Sequence, residues 1–382
     1  MKFAAIFIYA ITALLTWPCH SFADSGSITK ERFGQTADGQ PLYLYTLKNA
    51  HGMRAAIMNY GGIMYSLHVP DRRGVLEDVL LGYANPMDYL TTGNKPYFGA
   101  LIGRYANRIA DGRLTLNGTL YRLSVNEGRN TLHGGIRGFD KRIWDTEPVV
   151  GKGQVGLLLR YVSNDGEEGF PGKVTATVVY TLTDANELRI DYSAVTDKET
   201  VVNLSQHNYY NLKGAGNGDI LDHRLTLRAD RFTPVRTDYI PTGEIRSVTG
   251  TDMDFRRPTV IGSRIRSNDP QIRLAEGFDH NYVLNPSGSR MKHAATVFEP
   301  VSGRRLDAYT TQPGVHLYTG NHLTQGGAII GKGGKSYGNY YGFCLETQHF
   351  PDSPHHPNFP STVLKPGQVY KQTAIFKFSV VK

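Results

Sequence analysis

The sequence predicts an all-β protein, one large antiparallel domain with few and short helices. Three observations carry that expectation. Residues 155–196 read as three successive strands joined by turns, with Val174, Ala176, Val178 and Tyr180 in alternation along the middle one, the two-residue period of a strand with one buried face. The 382 residues include 42 Gly and 23 Tyr, which serve turns and strands better than helices. No long amphipathic helical run follows residue 23, so a sandwich or barrel is expected rather than a doubly wound sheet.

Residues 1–23 stand apart. Lys2 precedes an apolar run from Phe3 to Trp17, which is short for a bilayer span, and Ser21-Phe22-Ala23 gives a small-residue exit. This is the pattern of a secretory signal peptide cleaved near Ala23, and it implies a periplasmic or secreted protein. The competing readings are an uncleaved anchor and a lipid-anchored Cys19, the latter disfavoured by Pro18 just before it. Lys2 is the one charged residue removed, so the net charge falls from +8 to +7. No basic run interleaved with aromatics accompanies that excess, which argues against nucleic-acid binding. No later segment is apolar for long enough to span a membrane as a helix. Cleavage also removes Cys19 and leaves Cys344 alone, so the exported fold has no internal disulfide.

From about residue 28 onward, strands and turns alternate. Residues 42–47 and 53–58 flank the turn Asn49-Ala50-His51-Gly52, Tyr60-Gly61-Gly62 breaks before 63–69, and Pro70-Asp71-Arg72-Arg73-Gly74 turns before 79–81. Residues 86–90 suggest one helical turn. The clearest stretch is the meander 155–163, 173–182 and 188–196, and strands recur at 283–284, 294–299, 314–319 and 374–380. No low-complexity linker or fixed-period repeat divides the chain, so residues 24–382 are expected to form a single domain.

Four local patterns carry no chemistry. Gly151-Lys152-Gly153-Gln154-Val155-Gly156 matches a dinucleotide glycine pattern but opens a strand, so it reads as a hairpin turn. Gly334-Lys335-Ser336 ends like a phosphate loop, but position 329 is Ile where such a loop needs Gly. His355-His356 lacks metal-ligand spacing and reads as a solvated loop pair. Cys344, between Phe343 and Leu345, reads as a small packing residue.

Glu346 does not fit a packing role. It lies in the apolar run Tyr341-Gly342-Phe343-Cys344-Leu345-Glu346, where a carboxylate is costly unless it is paired or functional. If the run is extended, Tyr341, Phe343 and Leu345 face the core, and Gly342, Cys344, Glu346 and Gln348 face the other way, leaving room for a ligand. Other stretches are also more polar than packing requires. Asn107-Arg108 offers several donors, His133-Gly134-Gly135 lets backbone pass close to a ligand, His207 shares an extended face with Asn203, Ser205 and Tyr209, and Asp279 precedes a β run.

Taken together and in this order, these stretches resemble the aldose 1-epimerase (galactose mutarotase) family. The resemblance covers nearly all of the chain after the leader. It runs through Asn59-Tyr60-Gly61-Gly62, Gly103-Arg104-Tyr105-Ala106-Asn107-Arg108, Leu132-His133-Gly134-Gly135, Glu168-Gly169-Phe170-Pro171-Gly172, Gly277-Phe278-Asp279-His280-Asn281 and Leu345-Glu346-Thr347-Gln348. It implies a large antiparallel β-sandwich, the galactose mutarotase-like supersandwich, with an open sugar cleft. It also implies that His207 is the general acid, that Glu346 is the general base, and that Asn107, Arg108, His133 and Asp279 bind sugar. One departure stands out. His316 occupies the place of a sugar-contacting Gln of the family, which bears on substrate preference more than on chemistry.

Anomer exchange by ring opening asks for one base at the C1 hydroxyl and one acid at the ring oxygen, with no metal, nicotinamide or phosphate. A His with a pKa of about 6.5 serves near neutrality, and a Glu at about 4.3 serves if burial raises it. The expected substrates are free aldohexoses such as galactose or glucose, and the sequence leaves a monomer or a homodimer open. Two other functions compete with this one. One is a glycoside hydrolase pairing Glu346 with Asp279, which gives His207 no role. The other is a non-catalytic sugar-binding protein.

Overall fold

The computed structural model describes residues 26–382, so the expected leader and its exit near Ala23 lie outside the described residues. Strands dominate, and the only α-helices among the described residues are Asp88–Thr91 and Pro270–Ala275. The largest sheet has nine strands. At its heart is the expected meander, Gln154–Ser163, Val174–Thr183 and Glu187–Thr196, continued by Tyr370–Val380, Arg304–Thr310 and Lys292–Phe298. Val174, Ala176, Val178 and Tyr180 are buried, while Thr175, Thr177 and Val179 are half-buried. The hairpin expected at Gly151-Lys152-Gly153-Gln154 is there, joining Asp145–Gly151 to Gln154–Ser163.

Two five-stranded sheets pack against this one. The first runs in chain order through Ser27–Gln35, Pro41–Lys48, Arg54–Met58, Met64–Pro70 and Leu76–Asp78. The second runs Arg246–Ser247, Arg231–Phe232, Asp279–Val283, Gly314–Tyr318, Cys344–Gln348. Leu47 and Ile57 of the first, Leu317 and Leu345 of the second, and Leu157, Val178 and Phe376 of the nine-stranded sheet share one apolar core. This is a sandwich, and each fully buried Val or Leu in it contributes roughly 1.5–3 kcal/mol.

Two expected strands differ in their bounds. The pairing expected over residues 79–81 falls on Leu76–Asp78 instead. Asp78 ends that ladder because its carboxylate takes over the acceptor role, bonding the Leu67 and Leu80 amides at 2.9 and 3.1 Å and the Lys332 ammonium at 2.6 Å. The strand carrying Glu346 begins only at Cys344, because the preceding Phe343 exchanges its backbone bonds with Tyr210 at 2.8 and 2.9 Å, and Tyr340 takes a left-handed φ of 65°. Tyr341 therefore leaves the main core and packs with Cys344 in a second cluster, whereas Phe343 and Leu345 face the main core as expected.

Short pairings bring distant loops to one end of the sandwich. Ser205–His207 pairs with Ala100–Ile102, setting His207 opposite Ala100, and Arg108–Ile109 pairs with Thr131–Leu132, setting Arg108 opposite Leu132. Gln206 points back into the core, where its Oε1 accepts the Tyr180 hydroxyl at 2.6 Å. The meander thereby fixes the strand that carries His207.

Candidate active site

The second five-stranded sheet supplies the floor. Antiparallel register sets Glu346 opposite His316, His316 opposite Asn281, and Asp279 opposite Tyr318. Opposed residues share a face, and so do residues two apart. Asp279, His316, Tyr318, Cys344 and Glu346 thus rise from one side of the sheet. A cavity of about 1010 Å³ opens above them, lined by Asn107, Arg108, His133, His207, Asp279 and Glu346 together with Tyr97, Glu127, Tyr209, Tyr239 and Tyr318.

His207 and Glu346 meet there. His207 Nε2 lies 3.7 Å from Glu346 Oε1, and both side chains are buried. On its other side His207 Nδ1 lies 3.6 Å from the Cys344 sulfur, and the Tyr209 ring packs at 5.0 Å. Glu346 Oε2 is buried without a hydrogen-bond partner among the described residues. Burial, and then the negative charge of Asp279, push the Glu346 carboxyl well above its ordinary range, with Arg108 opposing. Burial holds the His207 imidazolium down to about 4.

The loop residues form the rest of the wall. Arg108 gives Glu127 two bonds, of 2.6 and 2.7 Å, and places its third nitrogen 3.9 Å from Asp279 Oδ2. The other Asp279 oxygen lies 2.5 Å from His316 Nε2. Burial alone would raise the Asp279 carboxyl, but His316 and Arg108 outweigh it and hold the group ionised, far below the usual range. Asn107 uses its side-chain oxygen on the Arg108 amide at 2.9 Å, which turns its amide nitrogen over to the cavity.

His133, Asn107 and Arg104 hold this wall in place. The Asn107 backbone N–H donates to His133 Nδ1 at 3.2 Å, and the His133 N–H returns a bond to Asn107 O. Burial, His207 and Arg108 keep His133 neutral. With Nδ1 accepting, the ring proton sits on Nε2, and His133 presents a donor. The donor atoms of His133, His207 and Glu346 lie within 4.8 Å of one another. A metal there needs a lone pair from His133 that this tautomer does not offer, so the trio suits hydroxyl groups better than a cation. Arg104 is buried behind the wall, donating to the carbonyls of Pro171 and Gly172 at 2.8 and 2.9 Å.

Several sequence readings shift here. His316 does not line the cavity; it stands behind Asp279, its Nδ1 unpaired among the described residues, and acts on the site through that carboxylate. Gly134 and Gly135 do not make room for a ligand. A Cβ on Gly134 would strike the Gly103 carbonyl and one on Gly135 would strike Glu168, whose carboxylate caps the Ile136 and Arg137 amides at 2.8 and 3.1 Å. Gly342 likewise leaves no open space, since Leu81 and the Tyr209 side chain fill it. His355 is exposed and His356 half-buried, as a loop pair in solvent should be, but both also brace buried Asp352 at 2.6 and 3.4 Å, and Asp352 in turn holds the Ala110 amide. The sequence reading missed Tyr97, Glu127, Tyr239 and Tyr318 as wall residues. None of them carries a local signal beyond being polar or aromatic in a loop or strand.

Comparison with known proteins agrees with the geometry. The family model described as aldose 1-epimerase matches residues 43–377. A galactose mutarotase of Bos taurus is 44% identical over 354 residues, 93% of this chain and 99% of that protein. An aldose 1-epimerase of Escherichia coli is 39% identical over 343 residues, 89% of this chain and 96% of that protein. Among solved structures, a galactose 1-epimerase from Lactobacillus acidophilus superposes with a TM-score of 0.81 at 28% identity, covering 94% of this chain and 100% of that one.

Proposed function

The chain belongs to the aldose 1-epimerase family, and from that premise we propose that it interconverts the α and β anomers of free aldoses, galactose and glucose among them, with His207 and Glu346 as the proton-transfer pair. The observation that carries this reading is the 3.7 Å approach of His207 Nε2 to Glu346 Oε1 on the cavity floor.

Ring opening starts from the form of the site in which Glu346 is the carboxylate and His207 the imidazolium. Glu346 takes the proton of the C1 hydroxyl, His207 gives its proton to the ring oxygen, and the C1–ring oxygen bond breaks. The open-chain aldehyde then faces a neutral His207 and a protonated Glu346. Burial raises Glu346 and lowers His207, so it favours this neutral pair over the charged one. The desolvated site thus favours the proton positions reached on ring opening. Rotation about the C1–C2 bond and reclosure on the other face return both protons. Asp279, held ionised, accepts hydroxyl hydrogens; His133 Nε2, Asn107 and Arg108 donate to sugar oxygens.

The glycosidase alternative would need Asp279 as an acid or nucleophile at the anomeric centre, more than an acceptor of hydroxyl hydrogens. Its two oxygens instead face Arg108 and His316, and the close partner of Glu346 is a His. Polarimetry of α-D-galactose with wild type and Glu346→Gln tests the reading. An unaccelerated wild type, or a variant as fast as wild type, would sink it. Export to the periplasm or beyond is part of the same proposal and rests on the pattern of residues 1–23. Fractionation of expressing cells, with N-terminal sequencing of the mature protein, checks it; full-length protein in the cytoplasm would refute it.

A further inference from the structure

We propose that Tyr97 is a further substrate-contacting residue of this site, its ring walling the cavity beside both histidines and its hydroxyl donating to a sugar oxygen; the inference rests on the epimerase reading. Tyr97 lines the cavity with its ring centroid 4.7 Å from that of His133 and 6.0 Å from that of His207. The Lys141 ammonium lies 4.9 Å from the ring centroid. The ring is therefore lodged among the two histidines and a lysine, and it forms part of the cavity wall.

Two further features set it apart from a packing tyrosine. Its φ is +59°, a left-handed value that a bulky aromatic residue rarely takes. Such backbone persists where surrounding structure over-determines it, and it clusters at ligand sites. Here the surroundings are specific. The Tyr97 amide donates to Asn94 O, the Asn94 side chain bridges the Phe98 amide and carbonyl at 3.0 and 3.2 Å, and Gly99 N–H donates to the backbone carbonyl of His207 at 3.0 Å. The loop that forces Tyr97 into this conformation is thus bonded to the strand carrying His207, which ties the ring's position to that of the imidazole.

The second feature is the hydroxyl. Among the described residues its one hydrogen-bond partner is Asn126 Nδ2 at 3.4 Å, and that nitrogen already donates to Leu132 O and Gly135 O at 2.9 and 3.0 Å. The phenolic hydrogen has no acceptor among the described residues. Burial first, then Asp140 and Glu127, keep the phenol un-ionised. A neutral O–H without an acceptor on the wall of a sugar cavity is a donor for a sugar hydroxyl or ring oxygen.

The test is Tyr97→Phe, which removes the hydroxyl and keeps the ring. One lost hydrogen bond to substrate predicts a KM for α-D-galactose raised about 5- to 10-fold, with kcat changing much less. Calorimetry of galactose binding to Glu346→Gln and to Glu346→Gln/Tyr97→Phe, where no turnover interferes, should show a dissociation constant weakened by the same factor. An unchanged KM and an unchanged dissociation constant would overturn the proposal. A wild type that fails to accelerate mutarotation would instead overturn the epimerase reading beneath it.

Discussion

Replacing Glu346 by Gln separates the chemistry of the site from its stability, because the structure predicts opposite effects on the two. The amide has nearly the volume of the carboxylate. It sacrifices no hydrogen bond at Oε2, which has no partner among the described residues, and Oε1 has only the 3.7 Å approach of His207. What is lost is the base. Positioned proton transfer supplies roughly 10²–10⁴-fold, so kcat/KM should fall by that factor, or about 2.7–5.4 kcal/mol of transition-state stabilisation. Stability should move the other way. The folded carboxyl is raised well above its ordinary value, whereas the unfolded one titrates near 4.3. Between those two values the folded state binds the extra proton, and wild type loses about 1.4 kcal/mol for each pH unit of rise. The substituted amide does not titrate. The variant should therefore be more stable than wild type near pH 7, with the gap closing as pH falls toward about 4. Polarimetry gives the rate, and thermal unfolding at about pH 4.5 and 7 gives the stability. An active variant, or an inactive one less stable than wild type at pH 7, would refute the reasoning.

Acid should destabilise the protein early. Burial depresses His133, His207, His223, His280 and His349 below their ordinary value, His207 and His349 to about 4 and His223 and His280 to about 3. Stability linked to a depressed His is complete above about pH 6.5 and is lost as pH falls toward the folded value, at up to about 1.4 kcal/mol per unit for each group. Glu346 offsets one of the five, and the melting temperature should drop steeply between about pH 6.5 and 4.5; a flat profile would contradict the buried neutral assignment. Arg108→Lys keeps the charge but cannot make both bonds to Glu127 and approach Asp279 as well. Loss of about one charge-assisted hydrogen bond should raise KM by roughly tenfold or more, with kcat less affected. A KM within about twofold of wild type would remove Arg108 from sugar binding.

Some of this site was legible in the chain. Glu346 stood out because a carboxylate in an apolar strand needs a reason, and the alternation that turns it away from the face of Leu345 follows from strand geometry alone. The meander was equally legible, since its period-two pattern is uninterrupted from Val174 to Tyr180. The glycines were misread in a specific way. A Gly in sequence announces that a Cβ is not tolerated, but not what excludes it. At Gly134 it is the Gly103 backbone, 31 residues away, and at Gly342 it is Leu81 and Tyr209. His316 was ambiguous for the same reason, since whether it reaches a sugar or a carboxylate depends on a partner across the sheet.

By itself the sequence determined what is local: which segments extend, which face of each is apolar, and which side chains are too polar for a core. Those properties depend on chemistry and spacing within a few residues. Only the tertiary structure decided which polar groups meet. His207 and Glu346 are 139 positions apart, yet they end 3.7 Å from each other because separate strand pairings bring their elements to one end of the sandwich. Their protonation was decided there too. The ordinary pKa of a Glu does not allow the neutral pair near pH 7; the burial that shifts Glu346 up and His207 down exists only once the sheets have closed around them.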